Sequence, residues 1–250
     1  MCAAPGGFLS VAVRVNPGCE VVGFSLPRSG GGYPIIPGAL RDRVKHLDVT
    51  MLAEDMGVTA IPADHPDAGK FLSRRLEETQ LFDLVICDGH VLRPHAQFRS
   101  SYRESREGAR LKTAQLAIGL QHLKPGGTAV VLLHKVEAWE TVSYFRRFSK
   151  FSSVRLYKPA GGHGTRSSFY MVATGVNREH PEAGLAIDAW KRVWRTATFG
   201  TDEEYKEALR AGEPSVEQLL DEFGPVLTQN GRSVWEQQAK FLAKASFTQK

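Results

Sequence analysis

The chain has little cysteine: Cys2, Cys19 and Cys87 are the only three in 250 residues, and no two form a C-x-x-C pair. Such a set supports neither a disulfide framework nor a structural zinc site, and it fits a reducing, intracellular compartment, cytoplasmic or nuclear. No metal site is expected. No apolar run approaches the ~20 residues of a membrane helix, so no membrane partner is expected either. The opening Met1-Cys2-Ala3-Ala4-Pro5-Gly6-Gly7 lacks a basic segment followed by an apolar one, so no secretory leader is visible. Internal repeats and low-complexity tracts are missing. Apolar residues at 42% and charged residues at 24% exclude disordered and collagen-like chains.

What the chain does have is charge asymmetry. Residues 1–175 hold 22 basic against 15 acidic residues, whereas 176–250 hold 10 against 12. A polyanionic partner would therefore meet the front of the chain. Arg99, Arg103, Arg106 and Arg110 are spaced four, three and four apart, which stacks them on one helix face, with Arg93 and Lys112 nearby. A solvated helix face is the plainer alternative.

Over residues 1–175 apolar runs alternate with helical patterns. Helices are expected over Phe8–Val15, Asp67–Glu78, about Gln97–Leu123 with a break near Gly108, and Glu137–Phe148. Strands are expected over Val21–Leu26, Val44–Leu52, Val58–Ile61, Phe82–Cys87, Thr128–Leu133, Val154–Tyr157 and Phe169–Thr174. Strands separated by helices imply an α/β fold with a mostly parallel sheet, and the last two strands imply an antiparallel finish. Residues 177–250 show no good strand. They carry three capping boxes, Thr201…Glu204, Ser215…Gln218 and Ser233…Glu236, and so read as a helical appendage. Trp190, Trp194 and Ala197 recur at helical spacing and are expected to pack that tail onto the core.

Cys2-Ala3-Ala4-Pro5-Gly6-Gly7 stands where a strand turns into a helix. Paired glycines allow close approach of a ligand, and a helix N-terminus offers unpaired N–H groups. The spacing is not G-x-G-x-x-G, which disfavours a dinucleotide. Taken in order, Ala4-Pro5-Gly6-Gly7, Asp83-Leu84-Val85-Ile86-Cys87-Asp88-Gly89, Lys124-Pro125-Gly126-Gly127-Thr128 and Lys158-Pro159 with Arg166-Ser167-Ser168-Phe169 resemble the FtsJ-like ribose 2′-O-methyltransferases, which include the mRNA cap enzymes.

The resemblance implies a Rossmann-like methyltransferase domain over residues 1–176, with 177–250 as a helical extension. It implies S-adenosylmethionine as cofactor and RNA (rRNA, an mRNA cap or tRNA) as partner. Ala4, Pro5, Gly6 and Gly7 would border the methionine part of the cofactor, and Asp88 would lie beside the reacting methyl group. Asp48 suits the adenine amine, with Asp64 as the alternative. Arg93, Arg99, Arg103, Arg106, Arg110, Lys158 and Arg166 would contact RNA, and Tyr33 is open to either base stacking or packing.

The chain also departs from the family. Counting from Gly127, the family's second lysine falls on Leu132 and its glutamate on Ser168. Lys135 and His134 are the candidate substitutes, with a solvated strand end as the plain alternative. The family's first lysine belongs to a strand before the glycine turn, where only Met1 precedes Cys2, and the expectation is that this piece lies outside the chain. A catalytically inactive RNA- or protein-binding relative is therefore a second expected function.

Overall fold

Gly6 takes φ 106° and ψ 9°, a left-handed conformation open to glycine at little cost, and so turns the N-terminal stub into helix α1 (Gly7–Val15). Asn16 stops the helix, its side-chain amide donating to the Ala12 carbonyl. The computed structural model describes residues 1–36, 38–92, 100–161 and 163–245. They form two units, Met1–Gln80 with Cys87–His122 and Ile187–Leu209, and Leu81–Ile86 with Leu123–Ala186 and Arg210–Lys250.

In the first unit, strands β1 (Gly23–Ser25) and β2 (Val44–His46) pair in parallel, Phe24 opposite Lys45. Ile35, Leu40 and Val44 form a small core against Ala3, Leu9, Val13 and Val21. Three expected elements are corrected here. The strand expected over Val44–Leu52 ends at His46, because the Asp48 side chain accepts the Thr50 N–H and folds the chain into a 3-10 turn over Val49–Met51. Residues 58–61 are not a strand, and the Val58 N–H closes a turn on the Ala53 carbonyl. The helix expected over Asp67–Glu78 shrinks to one 3-10 turn, Ala68–Lys70. Its later N–H groups go to distant acceptors, Leu72 to Met51, Arg74 to Glu54 and Arg75 to Asp55, which leaves no i−4 ladder. The long expected helix appears as a 3-10 turn over Ser101–Arg106 running into α2 (Glu107–Gln121), and its residues 97–99 lie outside the described ones.

The second unit is built on a sheet of order β3 (Phe82–Cys87, with Cys87 counted in the first unit), β4 (Leu123–His134), β6 (Ser168–Val176) and β5 (Ser153–Tyr157). β4 and β5 each pair antiparallel with β6, the finish that the sequence implies. Alternation along β4 buries Ala129, Val131 and Leu133, and Phe169, Met171 and Ala173 of β6 are fully buried. β3 ends the strand order, and its Leu84 is 42% exposed. Helix α3 (Trp139–Ser149) precedes β5. The architecture is α/β.

Beyond residue 176 the described chain is helical: α4 (Pro181–Phe199), α5 (Asp202–Arg210) and α6 (Val216–Leu242). Two of the expected capping boxes form, Thr201 with Glu204 and Ser215 with Gln218. The third does not. Ser233 lies inside α6, where its hydroxyl donates to the Asn230 carbonyl. Trp190, Trp194 and Ala197 are buried as expected. This helical stretch is shared between the two units.

Candidate functional site

In the first unit the ends of several extended segments meet at one rim. The Ala3 N–H donates to the Phe24 carbonyl at 2.8 Å, and the Leu47 N–H donates to the Ser25 carbonyl at 2.8 Å. The Asp88 N–H reaches the Met1 carbonyl at 3.4 Å, which brings Asp88 to the stub that runs into Gly6-Gly7. The loop after β1 is tied to the same turn, because Ile36 N–H donates to the Pro5 carbonyl at 3.0 Å. Helix α1 has no side-chain cap and no acidic residue in its first turn. Its leading N–H groups lack intrahelical partners by geometry, and a Cβ placed on Gly7 would meet nothing within 4 Å. Such an end suits a carboxylate.

Asp88-Gly89 is held from α2. The buried Gln115 side chain accepts the Gly89 N–H at 2.7 Å and donates to the Gly89 carbonyl at 3.2 Å. A Cβ on Gly89 would lie 2.4 Å from the Gln115 amide and 2.5 Å from Cys2 Sγ, so a larger residue would have to push aside the side chain that holds this loop. Burial pushes the Cys2 thiol up to about 11 and the Cys87 thiol up as well. Both stay protonated at neutral pH and are poor nucleophiles.

Asp48 stands two residues past the end of β2. Its Oδ1 accepts both the Thr50 N–H at 2.9 Å and the Thr50 hydroxyl at 2.8 Å. No bond to its Oδ2 occurs among the described residues, which makes that oxygen the acceptor open to a ligand amine. Asp64 stands exposed on a turn after Pro62. Between the two expected acids, Asp48 is the one joined to the rim.

The arginine stripe needs correction. Arg93 and Arg99 lie outside the described residues. Arg110 is fully buried, with Nη1 on Glu107, Nε on the Thr198 hydroxyl and Nη2 on the Thr50 carbonyl. Arg103 is buried against Asp67 and Glu107. Arg106 bonds Asp202 and the Thr196 and Gly200 carbonyls. These charges answer internal acceptors rather than forming an exposed face.

In the second unit, His134 ends β4 opposite Ser168, and Leu132 pairs with Tyr170. Lys135 follows the strand end with φ 51°, exposed, its N–H on the Ser167 carbonyl, so strand alternation no longer governs its side chain. Lys158 is buried. Its ammonium donates to the carbonyls of Arg166 at 2.6 Å, Ser168 at 2.8 Å and His163 at 3.4 Å, and desolvation lowers its pKa. It fastens the loop, which presents Arg166 to solvent. Sequence reasoning missed Gln115 and Thr50. The available signal for Gln115 was one amide inside the apolar run Ala114–Leu120; for Thr50 there was none.

A family model for FtsJ-like methyltransferases matches residues 1–176, well over half of the chain. No curated protein matches it. The chain belongs to the FtsJ-like methyltransferase family, whose members draw on S-adenosylmethionine. Among the described residues, no group of three or more His, Cys, Asp or Glu is placed to hold a metal ion, and no helix is long and apolar enough to cross a membrane.

Proposed function

We infer that this protein is an S-adenosylmethionine-dependent methyltransferase acting on RNA ribose 2′-hydroxyls. One observation carries the reading: the Asp88 backbone bonds the stub that leads into Gly6-Gly7. The residues fit the cofactor in three places. Ala4, Pro5, Gly6 and Gly7, with the uncapped start of α1, suit the methionine carboxylate. The Asp88 carboxylate suits a sulfonium charge, and Asp48 Oδ2 suits the exocyclic amine of adenine. S-adenosylmethionine supplies a methyl group on a positively charged sulfur.

A ribose hydroxyl is almost wholly protonated at neutral pH, and its attack needs a nearby base or cation. His134 and Lys135 are the residues proposed for that help. For RNA contact the exposed candidates are Arg166 and Tyr33, the latter 51% exposed on the loop tied to Pro5. The mostly parallel, Rossmann-like arrangement belongs to this same reading. It is supported by the parallel β1–β2 pair with the glycine turn at its carboxyl end.

A second reading, an inactive RNA- or protein-binding relative, is favoured by Leu132 and Ser168, uncharged where the family carries lysine and glutamate. Calorimetric titration with cofactor, followed by incubation with RNA and labelled cofactor, separates the two. Transfer to ribose 2′-oxygens supports the enzyme, binding without transfer supports the inactive relative, and no binding removes the cofactor from both. Asp88→Ala should lower any transfer at least about 100-fold with the thermal melt preserved. An unchanged rate would reject the role given to Asp88.

A further inference from the structure

The Asp48 turn has little strength of its own. β2 is three residues long, and the turn after it is a single 3-10 turn, an arrangement that gains little from local hydrogen bonding. Its Thr50 carbonyl is instead gripped from two directions. Trp194 of α4 donates its indole N–H to that oxygen at 3.0 Å, and Arg110 of α2 donates Nη2 at 3.3 Å. Both side chains are fully buried. Thr198, one turn beyond Trp194, closes the circuit: its hydroxyl donates to the Trp194 carbonyl at 2.7 Å and accepts Arg110 Nε at 2.9 Å. The same Thr50 gives its N–H and hydroxyl to Asp48 Oδ1, so the grip on the carbonyl fixes the orientation of the carboxylate.

Trp194 and Thr198 lie beyond residue 176, where the family match ends. We propose that Trp194 is a positioning residue through which the C-terminal helical extension sets Asp48 Oδ2 for the adenine amine of the cofactor, so that the extension is part of the adenosine subsite. This rests on the cofactor reading given above. The indole touches no ligand; it acts through Thr50. Losing its N–H leaves a buried carbonyl with one donor fewer and lets the turn, and with it Asp48, depart from the bound geometry.

The test uses the full chain and two ligands, S-adenosylhomocysteine and its inosine counterpart, in which a ring carbonyl replaces the amine. Trp194→Phe keeps an aromatic ring in the core and removes the donor together with part of the ring volume, a packing loss that both ligands would feel equally. Wild type should bind S-adenosylhomocysteine, and Trp194→Phe and Asp48→Asn should each weaken it about three- to tenfold. Neither should shift binding of the inosine ligand more than about twofold, and the double variant should be no weaker than Asp48→Asn alone. Should Trp194→Phe not fold, Thr198→Val removes the connecting hydroxyl and carries the same expectation. Equal losses for both ligands, no loss for either, or additive losses would overturn the proposal. Absence of wild-type binding to S-adenosylhomocysteine would instead overturn the cofactor reading beneath it.

Discussion

The two units hold their backbones by different means. In the second, β6 pairs with β4 over most of its length and with β5 over five residues, from Ser153 opposite Thr174 to Tyr157 opposite Tyr170. In the first, β1 and β2 are three residues each, and the loops around them are fastened by buried polar side chains. Asp67 takes Lys70, Tyr102 and Arg103; His65 accepts the Asp67 N–H on Nδ1, which leaves Nε2–H for the Thr198 carbonyl at 3.1 Å. His65 also sits among the rings of Phe71, Tyr102 and Phe199. Where a ladder is thin, specific side-chain bonds must satisfy the backbone. The lesson is that the candidate cofactor rim stands in the unit most dependent on buried charge.

The largest effect should come from Arg110→Ala, which strips partners from Glu107, Thr198 and Thr50 at once. A loss of about 3–5 kcal/mol is expected in urea unfolding, since removing one member of a buried charged network strands the rest. A loss under about 1 kcal/mol would break the contrast between the units. Asp67→Asn should cost about 2–3 kcal/mol, the scale for hydrogen bonds to a charged group, and its cost should depend on pH. Burial alone would raise the Asp67 carboxyl. The hydrogen bonds from Lys70 and Tyr102 and the charge of Arg103 outweigh it and bring the pKa below the usual 3.8.

The unfolded carboxyl therefore binds its proton first as pH falls. The stabilisation is complete above about pH 4 and is lost as pH drops through the lower, folded value. Unfolding curves for wild type and Asp67→Asn should stay apart from pH 7 to about 4 and converge below it. A gap that does not begin to narrow as pH falls below about 4 would mean that packing, not charge, carries Asp67.

Gly6→Ala should cost about 1–2 kcal/mol, the strain of a Cβ in left-handed backbone, read as a lower melting temperature. A matching loss of cofactor affinity would tie the turn to the site. The smallest effect belongs to the second unit's Lys124–Asp83 pair, with side chains 47% and 84% exposed. Lys124→Ala should change stability by less than about 1 kcal/mol in the same urea assay. A larger loss would show that exposed ion pairs matter in this unit too.

The second unit was largely legible in the sequence. Strands β4, β5 and β6 announce themselves as short apolar runs, and that pattern survives folding because each pairs along most of its length. The first unit was harder to read. Val44–Leu52 and Asp67–Glu78 have the right residues for a strand and a helix, yet Asp48, Glu54 and Asp55 capture N–H groups that regular structure would have used. Gly6 was legible because its positive φ favours glycine, and Asp88-Gly89 because it closes the apolar run Phe82–Cys87. The arginine stripe was misread for a related reason. Spacing shows which side chains share a face, but not whether that face meets water.

Sequence alone determined the α/β class, the glycine turn, the helical nature of residues after 176 and the family, since each follows from local periodicity or from motifs in order. Tertiary structure decided which charges are internal, which of two acids joins the rim, and that a helix beyond the family match holds the Thr50 carbonyl. Those outcomes depend on contacts between residues far apart in the chain, such as Thr50 with Trp194, and no local pattern encodes them.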